Sequence, residues 1–221
     1  MIWTPKGRFA SPHLYGPSDG SLKLHIDAME YRGGKALDLS GNGNHGTITG
    51  AVIKPGPVGQ NVFSFDGTDD NIALTLASAI TSNVTLCVWA KWSAVQTSWA
   101  QILGAYPNSS YCDITFNSNN TSLRFVYNNI GSTKSIPSVN VFYFYCGVYD
   151  TTNVILYENA IASAPAANTV NVSHNKFYIG AETNNTAYYN GQANGIRIYN
   201  RALSASEISA IYDAERHLYG R

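Results

Sequence analysis

Three segments of the chain join aromatic rings to amide side chains at short spacing: Tyr106-Pro107-Asn108, Tyr127-Asn128-Asn129, and Asn184-Asn185-Thr186-Ala187-Tyr188-Tyr189-Asn190. This is the chemistry that sugar recognition uses. A ring stacks on the C–H face of a sugar, and amides exchange hydrogen bonds with its hydroxyls. The 184–190 segment is the first choice for a ligand site. Tyr188 or Tyr189 would stack while Asn184, Asn185 and Asn190 contact hydroxyls, with Tyr106 and Tyr127 serving in the other two loops. Tyr and Asn are also ordinary strand and turn residues, so each segment has a purely structural reading as well.

A second pattern is Asp38-x-Ser40-x-Asn42-Gly43-Asn44. Oxygen-bearing side chains at alternate positions around a glycine turn partly match a calcium loop. Asp38 would be its main charged ligand and Asn44 a supporting one. Thr49 stands where an EF-hand would close with an acid, and no helices flank the segment, so it is not an EF-hand. The competing reading is a turn whose side chains satisfy their own backbone. Gly41-Asn42-Gly43-Asn44-His45-Gly46 also spells a dinucleotide-binding glycine string, but that motif needs a following helix. Thr47-Ile48-Thr49-Gly50 is β-like instead. His45 reads as a turn residue, and Asp66, Asp69 and Asp70 as a solvated acidic turn.

Catalytic patterns are missing. Glycosidases need two carboxyl groups across one bond. Glu30, Glu158, Glu182, Glu207 and Glu215 do not form the Glu-x-Asp-x-x-Glu spacing that would place them on one strand face. No nucleophile elbow, zinc-binding helix or phosphate loop occurs. The expectation is a protein that is not an enzyme.

The elements that must carry these residues are mostly strands. Leu22–Asp27, Val62–Phe65, Val84–Ala90, Gln101–Gly104, Tyr111–Phe116, Leu123–Tyr127, Phe142–Tyr149, Val154–Tyr157, Lys176–Gly180 and Gly195–Tyr199 are short, rich in β-branched and aromatic residues, and separated by turn signals. That rhythm without intervening helices points to a sandwich or barrel. Alternation within Val84–Ala90 sets Leu86 and Trp89 on opposite faces. One helix is expected near 204–214, where Ser204-Ala205-Ser206-Glu207 has capping-box spacing and Ile208, Ile211 and Tyr212 share a face. Residues 1–20 read as an extended arm rich in Pro, Gly and Ser, and residues 21–221 as one domain.

With 221 residues, 44% hydrophobic and 13% charged, the chain has the means to bury a core and is not a disordered polyelectrolyte. Lys plus Arg equals Asp plus Glu at 14 each, so the basic excess of a nucleic-acid binder is absent. No apolar run is long enough to span a bilayer. The N-terminal residues lack the apolar stretch of a signal peptide. Of three cysteines, Cys87 and Cys146 lie in apolar runs and read as small buried hydrophobes rather than a disulfide, and Cys112 has no close partner.

Four blocks carry a family resemblance: Asp38 to Thr47, Phe65-Asp66-Gly67-Thr68-Asp69-Asp70-Asn71-Ile72, Thr85 to Trp92, and Gly191 through Ser204 into Glu207-Ile208. In this order the chain resembles the laminin-G-like, concanavalin A-like lectin/glucanase superfamily, in the branch common among bacterial and phage proteins. The resemblance implies an all-β fold, a two-sheet antiparallel jelly-roll sandwich with one short C-terminal helix. It also implies a structural calcium near the first block, with Asp27 and Asn194 added to Asp38 and Asn44. Asn194 replaces the family's usual Asp, which weakens that set. The leading functional expectation is a non-enzymatic recognition or adhesion module for a glycan or surface polysaccharide. The alternatives are a phage virion protein, decorating a capsid or fibre and contacting other virion proteins through residues 1–20, and a glycanase with atypical carboxylates. The expected location is an extracellular surface or a virion.

Overall fold

The computed structural model describes residues 16–93, 96, 98–105, 111–182 and 187–221. In chain order the strands are β1 (Leu22–Arg32), β2 (Lys35–Asp38), β3 (Gly46–Thr49), β4 (Val52–Pro55), β5 (Asn61–Asp66), β6 (Asn71–Ile80), β7 (Val84–Trp92), β8 (Gln101–Ala105) and β9 (Cys112–Phe116). They continue with β10 (Ser122–Tyr127), β11 (Ile130–Ser135), β12 (Tyr143–Tyr149), β13 (Asn153–Glu158), β14 (Ile161–Ala162), β15 (Ala166–Ala167), β16 (His174–Ile179) and β17 (Asn190–Tyr199). Helix α1 (Ala205–Glu215) and a 3₁₀ turn over Arg216–Tyr219 follow.

The pairings are antiparallel and form two layers. In one, β4, β5, β17, β7, β12 and β13 lie side by side. In the other the order is β3, β6, β16, β8, β9, β10 and β11. β1 and β2 link the layers, β1 pairing with β17 and β2 pairing with β3. This is the jelly-roll sandwich that the sequence predicts. Strand parity decides what fills it. On β7, Leu86, Val88, Ala90 and Trp92 enter the main core between the layers. Cys87 and Trp89 point the other way, into a second core with Phe144, Tyr199, Ile208 and Ile211. Leu86 and Trp89 therefore face opposite sides, as alternation requires.

That second core is closed by α1. Ser204 caps it: the Glu207 N–H donates to Ser204 Oγ, and the Ser204 N–H donates to Glu207 Oε2 at 2.8 Å. Beneath the helix lies a buried polar group. Arg197 on β17 forms an ion pair with Glu215, both almost fully buried, and Trp89 Nε1 donates to Glu215 Oε2 at 2.9 Å. The Trp89 ring stacks on Tyr219 at 4.2 Å between centroids.

One sequence expectation fails here. Cys87 and Cys146 are a disulfide, not separate buried hydrophobes. The β7–β12 register sets them directly opposite one another, with Cα atoms 4.2 Å apart. A pairing between residues 59 apart in the chain depends on long-range register, which the local sequence does not display. Cys112 is a buried free thiol.

Residues 1–15 of the predicted arm lie outside the described residues. Its end is held on the domain, where Arg201 Nε donates to Asp19 Oδ2 at 2.8 Å.

Candidate functional site

The outer face of the second layer carries a cleft of about 390 Å³, lined by residues that include Trp99, Tyr111, Asp113, Thr115, Arg124, Asn129 and Glu182. Strand alternation builds its floor. On β9, Cys112, Ile114 and Phe116 enter the core, so Asp113 and Thr115 face outward. On β10, Leu123, Phe125 and Tyr127 enter the core, so Arg124 and Val126 face outward. The register then sets Thr115 beside Arg124 and Asp113 beside Val126.

Trp99 stands at the edge of the cleft, 45% exposed. Its backbone adopts a left-handed conformation, φ 64°, which a non-glycine residue keeps only when its surroundings hold it. Thr115 Oγ1 donates to the Trp99 carbonyl at 2.8 Å, and the Arg124 guanidinium lies 5.3 Å from the centre of the Trp99 ring. Two floor residues thus fix the one exposed tryptophan among the described residues. At the floor itself, Asp113 is 4% exposed. Burial, reinforced by the Glu182 carboxylate and only partly offset by Arg124, pushes its carboxyl up to about 8.

Two of the three aromatic-amide segments reach this cleft, through Asn129 and Ala187 rather than through the rings that the sequence singles out. Tyr111 and Asn129 line it, as do Glu182 and Ala187 on either side of residues 183–186. Tyr106, Asn184 and Asn185 lie outside the described residues. Tyr127 and Tyr189 are corrections: both are fully buried, so neither offers a ring to a ligand. Tyr127 has the core parity of β10, stacks on Tyr149 at 3.9 Å, and donates its hydroxyl to the Val172 carbonyl. Tyr189 packs against Phe65 and Phe116. Tyr188 is half-buried. Asn190 opens β17 opposite Asp66, its N–H donating to Gln96 Oε1. Trp99 and Asp113 are absent from the sequence-derived site. Trp99 lies in an aperiodic stretch, but the alternation of Cys112–Phe116 does mark Asp113 as outward-facing.

The expected calcium set also divides. Asp38 is saturated by its own chain: Oδ1 accepts from the His25 and Ser40 N–H groups, and Oδ2 from Ser40 Oγ and the Asn44 N–H. Asn44 Oδ1 accepts from the Ala77 N–H. His45 Nδ1 accepts from the Asp38 N–H, as befits a turn residue. Asp27 and Asn194 belong to the group beneath α1. Asn194 Oδ1 accepts from the Ala28 N–H, and its amide donates to Asp27 Oδ2 and Tyr219 Oη. All four serve the fold's own hydrogen bonding, and they divide between the Asp38 turn and the group beneath α1. A different cluster could hold a metal ion: Asp66, Asp69 and Asp70 bring one carboxylate oxygen each within 4.8 Å of one another.

The family model of the concanavalin A-like lectin/glucanases superfamily matches residues 66–209. The chain belongs to this superfamily. Solved structures share the fold at low identity. The receptor binding domain of botulinum neurotoxin C/D mosaic serotype is 15% identical with a TM-score of 0.71, over 88% of this chain and 51% of that one. Domain 4 of AbnA, an extracellular arabinanase from Geobacillus stearothermophilus solved in complex with arabinotriose, is 20% identical with a TM-score of 0.68, over 87% of this chain and 98% of that domain. A Trypanosoma rangeli sialidase is 16% identical with a TM-score of 0.69, over 89% of this chain and 33% of that one. The chain spans about half the length of the toxin domains and nearly all of the arabinanase domain. No curated protein matches.

Proposed function

We propose that this superfamily member is a non-catalytic recognition module that binds a glycan in the cleft beside Trp99. The observation that carries this reading is Trp99 itself: an exposed ring, held by Thr115 and Arg124, at the edge of a cleft with a polar floor. A fixed aromatic platform beside a few convergent polar groups is the arrangement that small-ligand sites use. The arabinotriose complex of the similar arabinanase domain supports a carbohydrate as the ligand class. Disulfides persist in oxidising surroundings, so Cys87–Cys146 supports a location outside the cytoplasm. Titration of neutral oligosaccharides into wild type and Trp99→Ala tests the reading. Because Asp113 and Glu182 share the cleft, the same mixtures are assayed for new reducing ends. The proposal expects none, and their appearance would move the reading to a glycanase.

A structural calcium is proposed for the Asp66–Asp70 turn, whose hard oxygen ligands suit that ion. Calcium at about a hundred times its Kd should stabilise the fold by about 2.7 kcal/mol if it binds the native state alone. Asp69→Ala should erase the rise in melting temperature, whereas Asp38→Ala should destabilise the protein with and without calcium. A rise that survives Asp69→Ala would remove the turn as the site.

A further inference from the structure

We infer that Asp113 sets the specificity of the cleft by pairing with one hydroxyl of an uncharged sugar, while Glu182 beside it turns away sugar acids. This rests on the glycan-binding reading of the same cleft.

Asp113 is 4% exposed, and its side-chain Oδ1 is buried without a hydrogen-bond partner among the described residues. Buried polar groups are nearly always hydrogen-bonded, because removing them from water uncompensated is costly. The neighbouring strands close in on it. On one side β8 passes so near that a Cβ at Gly104 would lie 2.6 Å from the Asp113 Cα, and on the other side stands Val126. The cleft is the side from which a partner can come.

The state of the carboxyl defines that partner. With its titration pushed up to about 8, Asp113 is mostly protonated at neutral pH. A neutral carboxylic acid offers one O–H donor and retains acceptor capacity, which complements a sugar hydroxyl that both donates and accepts. A site built to pair with a hydroxyl discriminates strongly, because a ligand without that group leaves the buried polar atom unpaired. Charge supplies the second criterion. Asp113 and Glu182 are both acids of the cleft, and Arg124 is its one cation among the described lining residues. That guanidinium lies over the Trp99 ring. A uronate would set its carboxylate against that of Glu182, and Arg124, already engaged over the Trp99 ring, offers it no spare cation.

The test is a calorimetric titration at pH 7 of arabinotriose, xylotriose, maltotriose and trigalacturonate into wild type, Asp113→Asn, Asp113→Leu and Trp99→Ala. Melting temperatures verify folding, which Asn and Leu should not harm because they remove an unpaired ionisable group. At least one neutral trisaccharide should bind wild type, with trigalacturonate weaker by about tenfold or more. Asp113→Asn, which keeps a donor and an acceptor, should bind within about threefold of wild type, and Asp113→Leu should lose about tenfold or more. Wild-type affinity in folded Asp113→Leu, with binding lost in Trp99→Ala, would overturn the role of Asp113 and leave the cleft as the glycan site. Preference for trigalacturonate would overturn the selection of uncharged sugars in the same way. Equal binding by all four proteins, or binding by none, would overturn the cleft reading together with this one.

Discussion

Asp113→Asn should stabilise the protein, and the gain should grow with pH. In the unfolded chain Asp113 releases its proton near the ordinary aspartate value of about 3.8, whereas in the fold it does so at about 8. Between these values the folded state holds a proton that the unfolded state has lost, so wild-type stability falls as pH rises through the window and levels off above it. Each unit of difference is worth about 1.4 kcal/mol, so the accumulated penalty at pH 8 is on the order of several kcal/mol. The amide keeps the shape and never ionises. Urea denaturation of both proteins from pH 4 to pH 9 should give curves that lie close together at the acid end and diverge until about pH 8. Parallel curves would mean that Asp113 is not held neutral by the fold. The cost borne by wild type is what a binding role for this carboxyl would account for.

The second large effect lies beneath α1. Removing either member of the Arg197–Glu215 pair leaves the other charge buried without its partner, which typically costs about 3–5 kcal/mol. Arg197→Met and Glu215→Leu should each destabilise by about that amount. The double variant should recover most of the loss, because apolar residues of similar volume replace a buried pair at little net cost. Equilibrium denaturation of the four proteins gives the coupling energy directly. Additive losses would show that the two side chains stabilise the helix independently. Glu215 also receives Trp89 Nε1–H, so Glu215→Leu should perturb the environment of that indole, which fluorescence reports.

Sequence reasoning reaches the fold further than the site, for physical reasons. Side-chain parity is local, and it set the strands around Val84–Trp92 and Gly195–Tyr199 and the opposed faces of Leu86 and Trp89. The Ser204–Glu207 capping box is local too, and the helix starts where it predicts. Parts of two loops rich in Tyr and Asn do reach the cleft, where Asn129 and Ala187 line it. The choice of rings goes astray because composition does not give orientation. Tyr127 shares the parity of Leu123 and Phe125, which already assigns it to the core. Trp99 has no periodic context, and its exposure depends on Thr115 and Arg124 from distant strands. Asp38 shows how a ligand-like pattern can serve the backbone alone, with both oxygens engaged by its own turn and by β1. The disulfide needs the β7–β12 register, which only the assembled sheet supplies.

The central claim is that the cleft beside Trp99 binds a glycan, and calorimetric titration of arabinotriose, xylotriose and maltotriose into wild type and Trp99→Ala tests it most directly. The account predicts saturable binding of at least one trisaccharide by wild type and a loss of about tenfold or more, 1.4 kcal/mol, in a Trp99→Ala protein of unchanged melting temperature. Wild-type affinity in folded Trp99→Ala, or no binding of any trisaccharide, would contradict it.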